Sequence, residues 1–177
     1  MAVGREVAGR ISGACARLEI VGSVRRLRPE VGDVEILFIP RRGTVDVPGE
    51  LFPREADLTD AGIAAMLRDG TLGLRRKKNG TTTFGPDIKL LVHRPTGIPV
   101  DLFRARESNW WCQLVCRTGG AANNERIATL AKQRGWKWNM NGGGFVKRDG
   151  SLHHRVASEE DVYEFVGIPY LRPEDRP

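Results

Sequence analysis

Residues 33–40, DVEILFIP, constrain the fold more than any other stretch: behind two acids the run is apolar until Pro40 stops it. Such a run reads as a β-strand covered on both faces and central in its sheet. Side chains alternate across a strand, so Asp33 and Glu35 project from one face, which Leu37 and Ile39 continue. The acids then stand at the strand's leading end, open to solvent and to a ligand. Two carboxylates held this close repel each other unless a cation lies between them. A hard divalent ion such as Mg²⁺ suits these oxygen ligands, and phosphates commonly complete its shell.

A chain of 177 residues makes one domain, or a domain with a small second lobe. At that length roughly 70% of the unfolded surface is buried, and no disulfide or structural metal is needed. Cys15, Cys112 and Cys116 lack CxxC spacing, which argues against a disulfide framework or zinc ribbon and fits a reducing cytosol. No apolar run approaches membrane-spanning length, and MAVGREVAGR carries charges where a signal peptide needs its apolar core. A cytoplasmic location without membrane contact is expected. The net charge of +6 fits a polyanionic partner.

Residues 3–18 predict a helix with Val7, Ile11, Ala14 and Leu18 on one face, and a strand follows at 19–24. The segment 41–57, with Pro48, Pro53 and several charges but no periodicity, reads as a loop. A helix at 59–69 opens on a Thr/Asp cap, a strand at 71–77 runs into the Asn79-Gly80 turn, and 87–93 with 98–104 form an antiparallel hairpin around RPTG. Residues 1–107 therefore predict an α/β domain with a mixed sheet and flanking helices. Residues 108–177 predict a small α+β lobe: a helix in ESNWWCQLVC, a glycine-bent turn feeding a second helix, a hairpin from WKWN and GGGFVKRD, and a last helix in SEEDVYEFVG capped by Ser158. His153 and His154 read as loop residues.

Eleven residues before Asp33 lies Gly22-Ser23, followed by Arg25-Arg26. A Gly-Ser turn brings a backbone N–H and a hydroxyl toward a phosphate, and a guanidinium clamps phosphate oxygens bidentately. GSVRRLRPEVGDVE thus joins a phosphate cradle, a basic clamp, a glycine and an acid pair. This string resembles the signature of the nucleotidyltransferase fold, specifically the family X DNA polymerases. The resemblance continues through a later strand with a third acid, a Thr-Gly turn followed by an Asn, and the ending EEDVYEFVGIPYLRPEDR. It is weakest from 41 to 80.

The resemblance implies a palm with a small C-terminal lobe, acting as a DNA-directed DNA polymerase that fills short gaps during repair. It selects Asp101, seventeen residues before Thr118, as the third carboxylate over Asp87. Asp33 and Glu35 would bridge two Mg²⁺ ions, with Mn²⁺ as a substitute, and Asp101 would hold one of them and help deprotonate the primer 3′-hydroxyl. Gly22, Ser23, Arg26 and Gly32 would serve the triphosphate, and Thr118, Gly119 and Asn124 the incoming nucleotide. Departures from the family pattern are Glu35 in place of Asp, Cys116-Arg117 where aromatic residues crowd the sugar, and Gly119-Gly120 where Gly-Ser stands.

Only 21 residues precede Gly22, leaving no room for the lyase domain or DNA clamp of larger relatives and matching the minimal form of viral and compact microbial polymerases. A monomer gripping DNA by its own lobes is expected, through Arg75, Arg76, Lys77, Lys78, Lys132, Arg134, Lys137, Lys147, Arg148 and Arg155. Cys112 and Cys116, and most of Trp110, Trp111, Trp136 and Trp138, read as packing residues. Two other functions use the same residues: a template-independent nucleotidyltransferase acting on RNA, a small molecule or a protein, and a non-catalytic nucleic-acid-binding module.

Overall fold

The computed structural model describes residues 2–45 and 51–177. As far as residue 104 the elements are α1 (Ala2–Ser12), β1 (Cys15–Ile20), α2 (Gly22–Arg25), β2 (Val34–Pro40), β3 (Arg42–Val45), β4 (Arg54–Asp57), α3 (Leu58–Arg68), β5 (Leu72–Leu74), β6 (Ile88–His93) and β7 (Ile98–Arg104). Thereafter come α4 (Trp110–Thr118), α5 (Ala121–Gln133), β8 (Trp136–Asn139), β9 (Gly144–Lys147), β10 (His153–Arg155) and α6 (Glu159–Phe165). Packing divides the chain into two units, Met1–Ile20 with Gly32–Arg104, and Val21–Val31 with Ala105–Pro177. The GSVRR segment, placed in the first domain by a linear boundary at 107, thus packs in the second unit.

The first unit is built on a five-stranded sheet ordered β1-β2-β7-β6-β5, in which β2 and β7 are parallel and the other neighbours antiparallel. It is a mixed α/β fold with helices flanking a mixed sheet. On one face Val34, Ile36 and Phe38 of β2 and Val100 and Leu102 of β7 pack with Val7 and Ile11 of α1 and Ile63 and Met66 of α3. Leu37 and Ile39, on the opposite face, are also buried, so β2 is interior and covered on both sides.

Several elements differ from the sequence reading. The first helix ends at Ser12 rather than 18, and β1 begins at Cys15, because two residues of turn suffice to bring Leu18 back onto the same core from a strand. Residues 22–25 are a helical turn, not strand. The 41–57 loop is in part the antiparallel pair β3–β4, whose register sets Arg42 opposite Asp57 and Val45 opposite Arg54; Pro48 and its neighbours from 46 to 50 lie outside the described residues. The strand expected at 71–77 closes at Leu74 and continues only as a bridge between Arg76 and Thr82. Asp57, not Thr59, caps α3, and its carboxylate is turned to Arg104 at 2.8 Å rather than to the helix amides.

In the second unit α4, α5 and α6 surround the sheet β10-β9-β8, with Cys112, Val115, Ile127, Phe145, Val162 and Tyr163 at the centre. The His153-His154 stretch forms the third strand rather than a loop, and the His154 ring lies 4.5 Å from that of Phe165. Trp138 and Trp110 are buried and Trp136 meets Phe165 edge-on at 5.1 Å, so these rings pack the lobe. Burial pushes the Cys112 thiol up to about 12 and the Cys15 thiol up to about 11, which leaves both as inert core groups. Ser158 caps α6: its hydroxyl accepts from the Asp161 amide at 3.1 Å, and the Asp161 carboxylate reaches back to the Ala157 amide at 2.7 Å. Replacing Ser158 by Ala should lower stability by about 1 kcal/mol, read as a lower denaturant midpoint with an unchanged slope.

Candidate active site

The acids are placed by strand register. Glu35 of β2 lies beside Asp101 of β7 across the parallel pair, and Leu37 beside Phe103. Because Val34 and Ile36 take the helix-covered face, Glu35, Asp101 and, just ahead of β2, Asp33 belong to the opposite face. All three side chains are half-buried. Asp87 precedes β6 and is exposed, with Arg104 at 4.0 Å as an ion-pair partner.

The same row of the sheet runs on from Asp101 to Leu90 of β6, and the amide of Arg75 donates to the Leu90 carbonyl at 3.1 Å. Arg75 therefore emerges on the acid face and spans Leu90 to donate to Asp101 Oδ1 at 2.6 Å. This ion pair was hidden in the sequence, where Arg75 is one cation of the RRKK run. Of that run Arg76, Lys77 and Lys78 are exposed, as are Lys132, Arg134, Lys137, Arg148 and Arg155, whereas Lys147 is half-buried. Arg134 donates to the Phe165 carbonyl at 2.6 Å and so ties the end of α5 to α6.

In the second unit, Gly22 takes a φ of 64° at the start of α2, a conformation in which glycine is the least strained residue. The Ser23 hydroxyl behind it is buried with no hydrogen-bond partner among the described residues. Arg26 donates to the Thr118 carbonyl. Its neighbour Arg25 donates to Thr118 Oγ1 at 2.7 Å and grips Glu159 bidentately at 2.8 and 2.9 Å. Glu159 also accepts from Arg176 at 3.2 Å and from the Tyr170 hydroxyl at 3.3 Å. Burial pushes the Glu159 carboxyl up, but the hydrogen bond from Arg25 and the charge of Arg176 outweigh it and hold it below the usual range. Sequence reading took Arg25 as half of a basic pair and Glu159 as part of a capped helix; nothing local marks them as one buried network.

Gly119 and Asn124 form one joint. Asn124 Nδ2 donates to the Cys116 carbonyl at 2.8 Å, and its Oδ1 is buried with no partner among the described residues. A Cβ on Gly119 would lie 2.5 Å from that amide and 2.7 Å from the Cys116 carbonyl, so only glycine fits between α4 and α5. Gly32 is exposed, and beyond its chain neighbours no heavy atom lies within 4 Å of where its Cβ would be.

The oxygen donors at Asp33, Glu35 and Asp101 have the chemistry a hard divalent cation requires. Among the described residues no three His, Cys, Asp or Glu groups stand so as to hold a metal ion, and Arg75 engages Asp101. No helix among the described residues is long and apolar enough to cross a membrane.

No curated protein matches the chain. Residues 113–177 match the family model of the DNA polymerase beta thumb. The match takes in most of α4 and all of α5, β8, β9, β10 and α6, and supports a family X polymerase-like relationship for that part of the chain.

Proposed function

We propose that the chain is a compact nucleotidyltransferase of the family X type that transfers a nucleotide from a dNTP to a primer 3′-hydroxyl in short DNA gaps, working as a monomer. The observation that carries this reading is the side-by-side register of Glu35 and Asp101, with Asp33 on the same face, in a chain whose C-terminal third matches a polymerase thumb. Asp33 and Glu35 would hold two Mg²⁺ ions, or Mn²⁺, and Asp101 one of them; bound there, the ions would neutralise the triphosphate and the developing charge on the leaving pyrophosphate. Asp101 would take the proton of the attacking hydroxyl once Arg75 yields it. Ser23, with its buried unpartnered hydroxyl, would donate to a phosphate oxygen, and Arg26 would add a guanidinium for the triphosphate. Asn124 Oδ1 would accept from the incoming nucleotide. Arg76, Lys77 and Lys78 are exposed cations for the DNA backbone.

The hold of Arg75 on Asp101 favours a second reading, a nucleic-acid-binding module without catalysis. Release of pyrophosphate from dNTP, followed with gapped DNA, single-stranded RNA and no acceptor, separates the possibilities. The polymerase reading predicts release with gapped DNA alone. Equal release with RNA would mean a template-independent transferase, and none with DNA bound would mean the silent module.

A further inference from the structure

The second unit carries a cleft of about 540 Å³ between α5 and the β8–β9 hairpin. Its apolar lining comes from Ala128, Trp136, Trp138 and Val146. Its charged lining is all positive: Lys132, Lys137, Lys147 and Arg148, with no acid among the residues that form it. Lys147 Nζ lies 5.2 Å from the Trp136 ring centre, so one cation already rests against an aromatic wall. None of these groups has a part in the transfer site described above.

We infer that this cleft seats an unpaired nucleotide of a DNA single strand, with the base against the apolar lining and flanking phosphates among the four cations. Four positive charges exceed what one phosphate needs and suit the several phosphates of a strand. An apolar recess gains nothing from a duplex, whose bases are stacked and paired, but it shelters the exposed face of an unpaired base, and such contacts tolerate any base. The volume accommodates a ring system with its sugar, which separates this site from a flat basic track. A nucleic-acid partner follows from the reading above, but the inference requires no catalysis.

The test is a fluorescence-anisotropy titration of the whole chain with labelled oligo(dT) of about ten nucleotides and with a blunt duplex. Ala128 is exposed on α5, so Ala128→Phe fills the cleft without removing a charge. It should weaken oligo(dT) binding about tenfold or more, leave duplex binding within about twofold, and leave the salt slope unchanged. Lys132→Gln, also at an exposed position, should instead reduce the slope by about 0.7 with the base seat intact. Equal losses on both nucleic acids would overturn the proposal in favour of a duplex backbone track. Unchanged oligo(dT) binding by folded Ala128→Phe would overturn it outright, as would equally effective competition by poly-glutamate or by free dTMP. Asp101→Asn should bind oligo(dT) normally, so loss of transfer there and loss of the seat in Ala128→Phe are read separately.

Discussion

Asp101→Asn should reduce nucleotide transfer by about a thousandfold or more while the protein stays folded. On the proposed function, removing one negative oxygen from the acid face would take away both a cation ligand and the acceptor for the hydroxyl proton, and electrostatic terms of this kind are worth several kcal/mol, each 1.36 being tenfold in rate. The amide still accepts a hydrogen bond from Arg75, so the pair, whose side chains are 29% and 13% exposed, loses its charge component but keeps its hydrogen bond. Asp87→Asn is the control: an exposed carboxylate ahead of β6 should leave activity unchanged. Single-turnover rates and thermal melts of both variants test the assignment. Reversed effects would move the third acid to Asp87.

Glu159→Ala should destabilise the second unit by about 3–5 kcal/mol, because it strands two guanidinium groups that the fold has taken out of water. Arg176 is fully buried and stacks its guanidinium 5.4 Å from the Tyr163 ring and 5.6 Å from that of Tyr170, so it has no route to solvent without disrupting them. The same network sets an acid dependence. The folded pKa of Glu159 lies below its ordinary 4.5, so its contribution is fully present above that value and is lost as pH falls through the folded pKa. Denaturant midpoints taken from about pH 6 down to pH 3 should fall more steeply in the wild type than in Glu159→Gln, which has no proton to gain. Parallel pH profiles would contradict the role given to Glu159.

Much of this was legible because the relevant signals are short-range. The apolar run from Ile36 to Ile39 forces an interior strand, and period-2 alternation alone puts Asp33 and Glu35 on one face. The hairpin at β6–β7 follows from two apolar runs around RPTG, and Ser158 caps α6 as its type and spacing demand. What the sequence hid depends on distant pairing. The β3–β4 ribbon has no apolar period, because its strands expose charged residues such as Arg42 and Glu55, which pair with each other at 3.5 Å. Leu18 and Ala14 fit a helical stripe as well as a strand edge, and tertiary packing with β2 decides for the strand at Leu18. The Arg75–Asp101 pair joins residues 26 positions apart and the Arg25–Glu159 pair residues 134 apart. No local pattern distinguishes these half-buried guanidinium groups from the exposed cations that follow Arg75. The first pair engages an arginine that the sequence reading gave to DNA, the second an arginine that it gave to a phosphate clamp.

The most direct measurement is extension of a one-nucleotide-gapped, 5′-phosphorylated DNA by the purified protein with Mg²⁺ or Mn²⁺ and each dNTP supplied alone, alongside Asp101→Asn. The account predicts a single added nucleotide, only with the dNTP that matches the template, and none with the variant. Extension with all four dNTPs alike, or by both proteins alike, would contradict it.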